Sequence, residues 1–246
     1  MAILAGIGNL LFPYGTHCAL CEGFNPNNKD PLCKHCRQEI TKHTAKLHPC
    51  EKCGRFIAIS DVLCAECKVK EFPFTLARGV APYEGILKEK IHFFKYLGKR
   101  SYAVHFVDMM LKVIKEEKGY EDIDAVVAVP LHNNRLEERT FNQAEELGQK
   151  LAKKINKPYI ADAIWRVIDT PTQVSLNRIQ RSENLSHAFS VPYPEIIKGK
   201  NLLLIDDIFT TGTTVSECTK VLLNAGARHV AVLTVASGIA SKFQKV

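Results

Sequence analysis

The chain has 246 residues, 46% of them hydrophobic and 24% charged, with 33 Lys+Arg against 26 Asp+Glu and a formal net charge of +7. This composition supports a substantial apolar core and excludes disordered, collagen-like and coiled-coil chains, while the length allows one large domain or two unequal ones. No apolar run approaches the roughly 18–20 residues of a membrane-spanning helix.

The opening Met1–Phe12 stretch has no Lys or Arg before its apolar part, and no small-residue cleavage site follows it. It reads as a short helix buried on the body rather than a signal peptide, and the chain as soluble and cytoplasmic. Eight of the nine cysteines then fall in four Cys-x-x-Cys pairs: Cys18/Cys21, Cys33/Cys36, Cys50/Cys53 and Cys64/Cys67. Such a turn points two thiolates at one tetrahedral ion, and a second turn completes a closed four-cysteine zinc site. Two structural zinc ions are expected, with no open coordination position. A redox motif or disulfides would not explain four pairs within 50 residues. Sequential pairing (18/21 with 33/36, 50/53 with 64/67) is preferred, and cross-braced pairing (18/21 with 50/53, 33/36 with 64/67) stays open on spacing. His17, His35, His43 and His48 read as surface or supporting groups, because each ligand set is already complete.

Eight thiolates and two dications lower the formal charge by four, to about +3. Residues 1–72 hold nine Lys+Arg against seven Asp+Glu, and the remainder 24 against 19, so the basic excess lies outside the cysteine module. With little apolar surface to bury, that module depends on metal for most of its folding free energy.

Past Phe72-Pro73 the cysteines give way to alternating segments. Ala125–Val129, Asn201–Ile205 and His229–Val235 read as strands. Helical patterns cover roughly 85–97, 103–118, 142–155 and 213–226. Strands of near-continuous aliphatics separated by helices imply a parallel α/β sheet covered on both faces. Cys218 shares a helical face with Val215, Val221, Leu222 and Ala225 and is expected to be a small core residue.

Residues 202–214 read Leu-Leu-Leu-Ile-Asp-Asp-Ile-Phe-Thr-Thr-Gly-Thr-Thr. An apolar strand delivers Asp206 and Asp207 to its carboxyl end, and a hydroxyl-rich turn around Gly212 opens a helix. Backbone amides of the turn and helix start make an anion site, with Thr210, Thr211, Thr213 and Thr214 adding hydroxyl donors. There is no Lys in the turn, so it is not a Walker loop. The acids suit hydroxyl groups or a metal on the same ligand, and a sugar phosphate offers both features.

This segment resembles the 5-phosphoribosyl-1-pyrophosphate (PRPP) motif of type I phosphoribosyltransferases. Together with the paired cysteine ribbons, the chain resembles the ComF (competence protein F) family, which includes GntX-type proteins. Further matching segments are Tyr83–Leu87, Lys95-Tyr96, Val129–Leu131, Arg135–Arg139, Phe141–Ala144 and Thr170–Asn184, closing with Ala188-Phe189. The resemblance implies a type I phosphoribosyltransferase fold, a parallel sheet flanked by helices, over residues 73–246, preceded by a small double zinc-ribbon module over 1–72. It also implies that Asp206 and Asp207 hold the ribose hydroxyls and that Thr210, Thr211, Gly212, Thr213 and Thr214 cradle the 5-phosphate. Leu131 and Arg135 then belong to a pyrophosphate loop, and Arg178 and Arg181 to a loop closing over PRPP, which is carried with Mg²⁺. One residue departs: Thr140 stands where the family usually has Gly, so a positive φ there would strain the turn.

Three functional classes follow. The family's association with competence implies an accessory factor in the uptake of transforming single-stranded DNA, working with a helicase-like competence protein. Lys88, Lys90, Lys95, Lys99 and Arg100, interleaved with Phe93, Phe94 and Tyr96, suit a single-strand path, or else Phe93 and Phe94 are core positions of an amphipathic helix with Lys on its wet face. The alternatives are a salvage-type enzyme transferring phosphoribosyl to a nitrogen acceptor, and a non-catalytic PRPP-sensing adaptor. The sequence identifies neither a catalytic residue nor the acceptor.

Overall fold

Near-continuous aliphatic runs suit strands covered on both faces, and three of the four sheet strands carry one. A computed structural model describes residues 17–26, 30–132, 140–168 and 188–240; the opening segment expected as a helix lies outside them. The strands β3 (Ala77–Pro82), β4 (Ala125–Ala128), β7 (Asn201–Phe209) and β8 (His229–Ser237) form one parallel sheet in the order β3-β8-β7-β4. Each β7 residue faces opposite to its neighbour. Leu203 and Ile205 therefore enter one core, and Leu202 and Leu204 the other.

Helices α2 (Gly85–Tyr96), α3 (Tyr102–Glu116) and α4 (Gln143–Lys154) fill the first core with Leu87, Ile91, Phe94, Phe106, Met110, Leu147 and Leu151. Helix α5 (Thr213–Asn224) covers the second with Val215, Cys218 and Leu222. All four lie where the periodicity put them, as do three of the strands. β3 was not anticipated, because Arg78 and Gly79 interrupt its apolar run. A short antiparallel pair, β5 (Trp165–Arg166) and β6 (Phe189–Ser190), also escaped prediction.

The cysteine segments sit on opposite faces of the sheet. Cys18, Ala19, Leu20, Leu32 and Cys36 join the first core, and α1 (Lys34–Thr44), N-capped by Cys33, packs on α2. Cys50, Cys53, Ile57 and Cys64 join the second core through a hairpin of β1 (Leu47–Pro49) and β2 (Phe56–Ala58). Backbone bonds stitch this hairpin to the sheet: Ala77 N–H to Lys52 O at 2.9 Å, Phe56 N–H to Gly238 O at 3.0 Å, and Ala240 N–H to Phe56 O at 2.9 Å. Gly54, at φ 67°, lies so close that a Cβ would come within 2.3 Å of Ala77 O. Phe72 and Phe74 stack at 5.0 Å across the 72/73 boundary.

Thr140 does adopt positive φ, at 65°. The turn is held from outside by Arg100, which donates to Thr140 O at 3.2 Å and lies 4.5 Å over the Phe141 ring. An L-residue in this region costs about 1–2 kcal/mol, and glycine gives back about 0.5–1 kcal/mol through unfolded-state entropy. Thr140→Gly is therefore expected to stabilise the chain by roughly 0.5–1 kcal/mol, read as a rise of about 1–4 °C in melting temperature. A fall would mean that the Thr140 side chain supports the turn.

Candidate functional site

β7 outruns its neighbour β4. Their pairing ends at Ala128↔Ile205, whereas pairing with β8 continues through Asp206↔Thr234 to Phe209↔Ser237. The acids therefore lie at the carboxyl end of the strand, where the sequence put them, and still within its ladder, because β8 supplies partners there. Asp206 is half-buried, and its Oδ1 accepts the Asp207 N–H at 2.8 Å. Asp207 is only 8% exposed, and its Oδ2 meets Lys95 Nζ at 2.9 Å. A carboxylate so enclosed requires a partner, and Lys95 of α2 supplies it. Tyr83 shares this neighbourhood: burial pushes its hydroxyl pKa up, with Lys95 opposing and Asp207 reinforcing the shift.

The turn after β7 exposes Thr210, half-buries Thr211 and Thr214, and buries Gly212 and Thr213. Gly212 is the N-cap of α5 at φ 75°, and its carbonyl accepts the Ser216 N–H at 2.9 Å. The following first-turn amides have no intrahelical acceptor and point out of the helix end. The Thr211 and Thr213 hydroxyls are 2.9 Å apart. Glycine is required twice over, since a Cβ would stand 2.5 Å from Phe209 Cζ and 3.1 Å from Phe72 Cε1. Beneath the turn, Phe209 packs edge-on against Phe72 at 6.4 Å and Phe74 at 5.9 Å. Cys218, one turn along α5, is fully buried, and its thiol pKa is pushed up first by burial and then by Asp206, as an inert core residue's would be.

The segment following β4 reaches the same sheet end. Val129 N–H donates to Ile205 O at 2.9 Å, and Asn142, which caps α4, donates to Val129 O at 3.1 Å. Leu131 lines a cavity of about 330 Å³ with Pro130, Asn142, Tyr159, Trp165 and Arg166. Arg135, Arg178 and Arg181 lie outside the described residues.

The five cations of residues 88–100 do not form a single exposed stripe. Lys95 turns inward to Asp207, 15% exposed. Lys90, equally enclosed, pairs with Glu89 at 2.9 Å, and Arg100 is engaged at the Thr140 turn. Lys88 and Lys99 are exposed, while Phe94 is a core residue. The role of Lys95 at the acid pair was missed: within a Lys-rich amphipathic run, nothing distinguishes an inward lysine from a wet one.

The eight cysteines gather in sequential sets, Cys18/Cys21/Cys33/Cys36 and Cys50/Cys53/Cys64/Cys67, with the sulfurs of each set within 4.8 Å of one another. A tetrahedral ion about 2.3 Å from each sulfur separates the sulfurs by about 3.8 Å. Cys21–Cys33 and Cys53–Cys64 stand at 3.7 Å. Both sets can hold zinc, and the cross-braced alternative is excluded.

A phosphoribosyl transferase domain matches residues 142–246. The DNA utilization protein YhgH of Escherichia coli is 31% identical over 186 residues, spanning 74% of this chain and 81% of that protein. Competence protein F of Haemophilus influenzae is 26% identical over 230 residues, covering 89% of this chain and 96% of that one. Competence protein ComFC of Bacillus subtilis is 29% identical over 204 residues, covering 80% of each. No described helix is long and apolar enough to cross a membrane. With sequential four-cysteine clusters, a four-stranded parallel sheet and an acid pair leading into the Gly212 turn, the chain belongs to the ComF family, a type I phosphoribosyltransferase fold preceded by a double zinc ribbon.

Proposed function

We propose that the chain binds PRPP with Mg²⁺ at the carboxyl end of its sheet and acts as an accessory factor in the handling of transforming single-stranded DNA. The observation that carries the PRPP reading is the overhang of β7, which sets two carboxylates beside a left-handed Gly212 turn and the start of α5. In this reading Asp206 and Asp207 accept the ribose hydroxyls, while the Thr210–Thr214 turn and first-turn amides take the 5-phosphate. A hard dication carried by the pyrophosphate takes oxygen ligands, which the exposed side of the site can leave to phosphate and water. Leu131, Arg135, Arg178 and Arg181 complete the proposed pyrophosphate contacts.

The DNA role is supported by the names of the relatives, a DNA utilization protein and two competence proteins. A helicase-like partner fits the same setting. Lys88 and the exposed Tyr96 on α2, with Lys99 just beyond it, offer a strand contact. A second reading, transfer of phosphoribosyl to a nitrogen acceptor, is favoured by the 330 Å³ cavity, which is of small-ligand size. Turnover with an acceptor separates that enzyme from a PRPP-sensing adaptor.

Titration calorimetry of Mg·PRPP tests the site. Asp206→Asn/Asp207→Asn is expected to weaken binding by about 10–100-fold, the loss of roughly 1.5–3 kcal/mol of charge-assisted hydrogen bonding. Gly212→Ala is expected to destabilise the chain by about 1–3 kcal/mol through overpacking against Phe209 and to weaken binding as well. No binding to zinc-replete wild type refutes the PRPP reading.

A separate experiment assigns Lys95. Lys95→Gln and Asp207→Asn are expected to be non-additive in PRPP affinity, since both remove one ion pair. Lys95→Gln is also expected to leave the salt slope of single-strand binding unchanged. A slope reduced by about one unit would instead put Lys95 on a DNA phosphate.

A further inference from the structure

The two zinc sites share one backbone plan. In the first, Cys18 N–H bonds Gly23 O at 2.8 Å and Glu22 N–H bonds Cys18 O at 3.0 Å; in the second, Cys50 N–H bonds Arg55 O at 2.8 Å and Gly54 N–H bonds Cys50 O at 2.9 Å. Glu22 and Gly54 both take positive φ, at 60° and 67°. A bridge follows in each, His17↔Phe24 and Pro49↔Phe56. Gly23 thus occupies the place of Arg55. By the same alignment of Cys33-Lys34-His35-Cys36 with Cys64-Ala65-Glu66-Cys67, His35 occupies the place of Glu66.

That difference reaches the sulfurs. Arg55 Nη2 donates to Cys64 Sγ at 3.2 Å and to Glu66 Oε2 at 2.6 Å, with side chains 12% and 8% exposed. A guanidinium clamped in this way makes a charge-assisted bond to a metal-bound thiolate, withdraws electron density from it and blocks its approach. Cys50, Cys53 and Cys64 are also enclosed, at 0%, 0% and 2% exposure. Among the described residues the first site has no such pair, Gly23 and His35 standing at the two positions. Backbone amides, those of Leu20, Cys21, Gly23, Cys33 and Cys36, donate to its sulfurs. Equivalent amide bonds exist in the second site, from Cys64 to Cys50 Sγ and from Cys67 to Cys64 Sγ, so they do not separate the two. Cys18 and Cys36 are buried too, and Cys33, like Cys67 of the second site, is half-buried, so the difference in exposure rests on Cys21, which is exposed.

We infer that the two sites are unequal: the second is a permanent structural zinc site locked by Arg55 and Glu66, and the first is an exchangeable one whose thiolates, Cys21 foremost, are open to chelators and soft electrophiles. The exchangeable site has a route to the acid pair. It holds the start of α1, which packs on α2, the helix that carries Lys95.

The test uses the full zinc-loaded chain. Under excess EDTA, with zinc followed by 4-(2-pyridylazo)resorcinol, one equivalent is expected to leave at least about tenfold faster than the other, the scale of an outer-sphere partner's effect. Parallel N-ethylmaleimide labelling, in which a sulfur adds to the alkene and the adjacent carbon takes a proton from water, should appear first on the Cys21 and Cys33 peptides. Arg55→Met should accelerate the slow equivalent toward the fast one. The graft Gly23→Arg with His35→Glu should slow the fast one several-fold, and it decides the matter if Arg55→Met fails to fold. A single rate for both equivalents, first labelling on the Cys50–Cys67 set, or a graft that leaves the fast rate unchanged would overturn the inference.

Discussion

The interaction on which the site depends is the aromatic wedge of Phe72, Phe74 and Phe209. All three rings are buried, and Phe209 is both the last residue of β7 and the floor under Gly212. Removing a ring of this kind from a core costs about 3–5 kcal/mol, a large share of the stability of a typical domain. The wedge also sets geometry, because Gly212 can approach Phe209 only while that ring is pinned from below. The second cysteine cluster enters the argument here. Lys52, between two of its ligands, donates to Phe74 O at 2.5 Å and Thr75 O at 3.1 Å, and Arg78 of β3 reaches back to Glu51 O at 2.8 Å. The ribbon therefore works as a bracket for the turn that follows the acids, whatever else it contacts.

Electrostatics impose the second constraint. Two adjacent carboxylates at a strand end repel each other unless part of their charge is neutralised, and Lys95 meets Asp207 at 2.9 Å in a nearly enclosed position. Asp206 is left as the more accessible carboxylate, beyond the last β4 partner of β7. The same geometry takes Lys95 out of any basic track on α2, and Lys90 and Arg100 are also engaged. What this segment shows to solvent is narrower than its composition suggests: Lys88 and Tyr96 on α2 and, beyond its end, Lys99 and the engaged Arg100.

Much of this was legible because it rests on short-range spacing. Cys-x-x-Cys turns, aliphatic runs and the Asp206–Thr214 segment each carry their geometry in a few consecutive residues, and the strained Thr140 could be read from one residue standing where glycine was expected. What escaped depends on how distant segments meet. Helical periodicity left Phe94 open between a stacking surface and a core position, and it does not reveal that the flank bearing Lys95 faces a strand end. Residues 1–72 read as one module, yet the two ribbons lie on opposite faces of the sheet, an arrangement set by the path of the chain and not by any local pattern.

That separation gives the contrast between the ribbons physical sense. Each contributes cysteines to a different core, so each four-cysteine set supports a different set of elements. The second supports the wedge and the turn beyond it, where loosening would cost the site its floor. It is also the one with three enclosed cysteines, against two in the first, and a buried Arg55–Glu66 clamp. The first supports α1 against α2 at the periphery, with His43 Nδ1 meeting Glu84 at 3.1 Å between exposed side chains. A contact of this kind opens at modest cost. One ribbon plan, repeated with Gly23 and His35 in place of Arg55 and Glu66, thus yields a fixed anchor beneath the turn and a looser one beside the helix that carries Lys95.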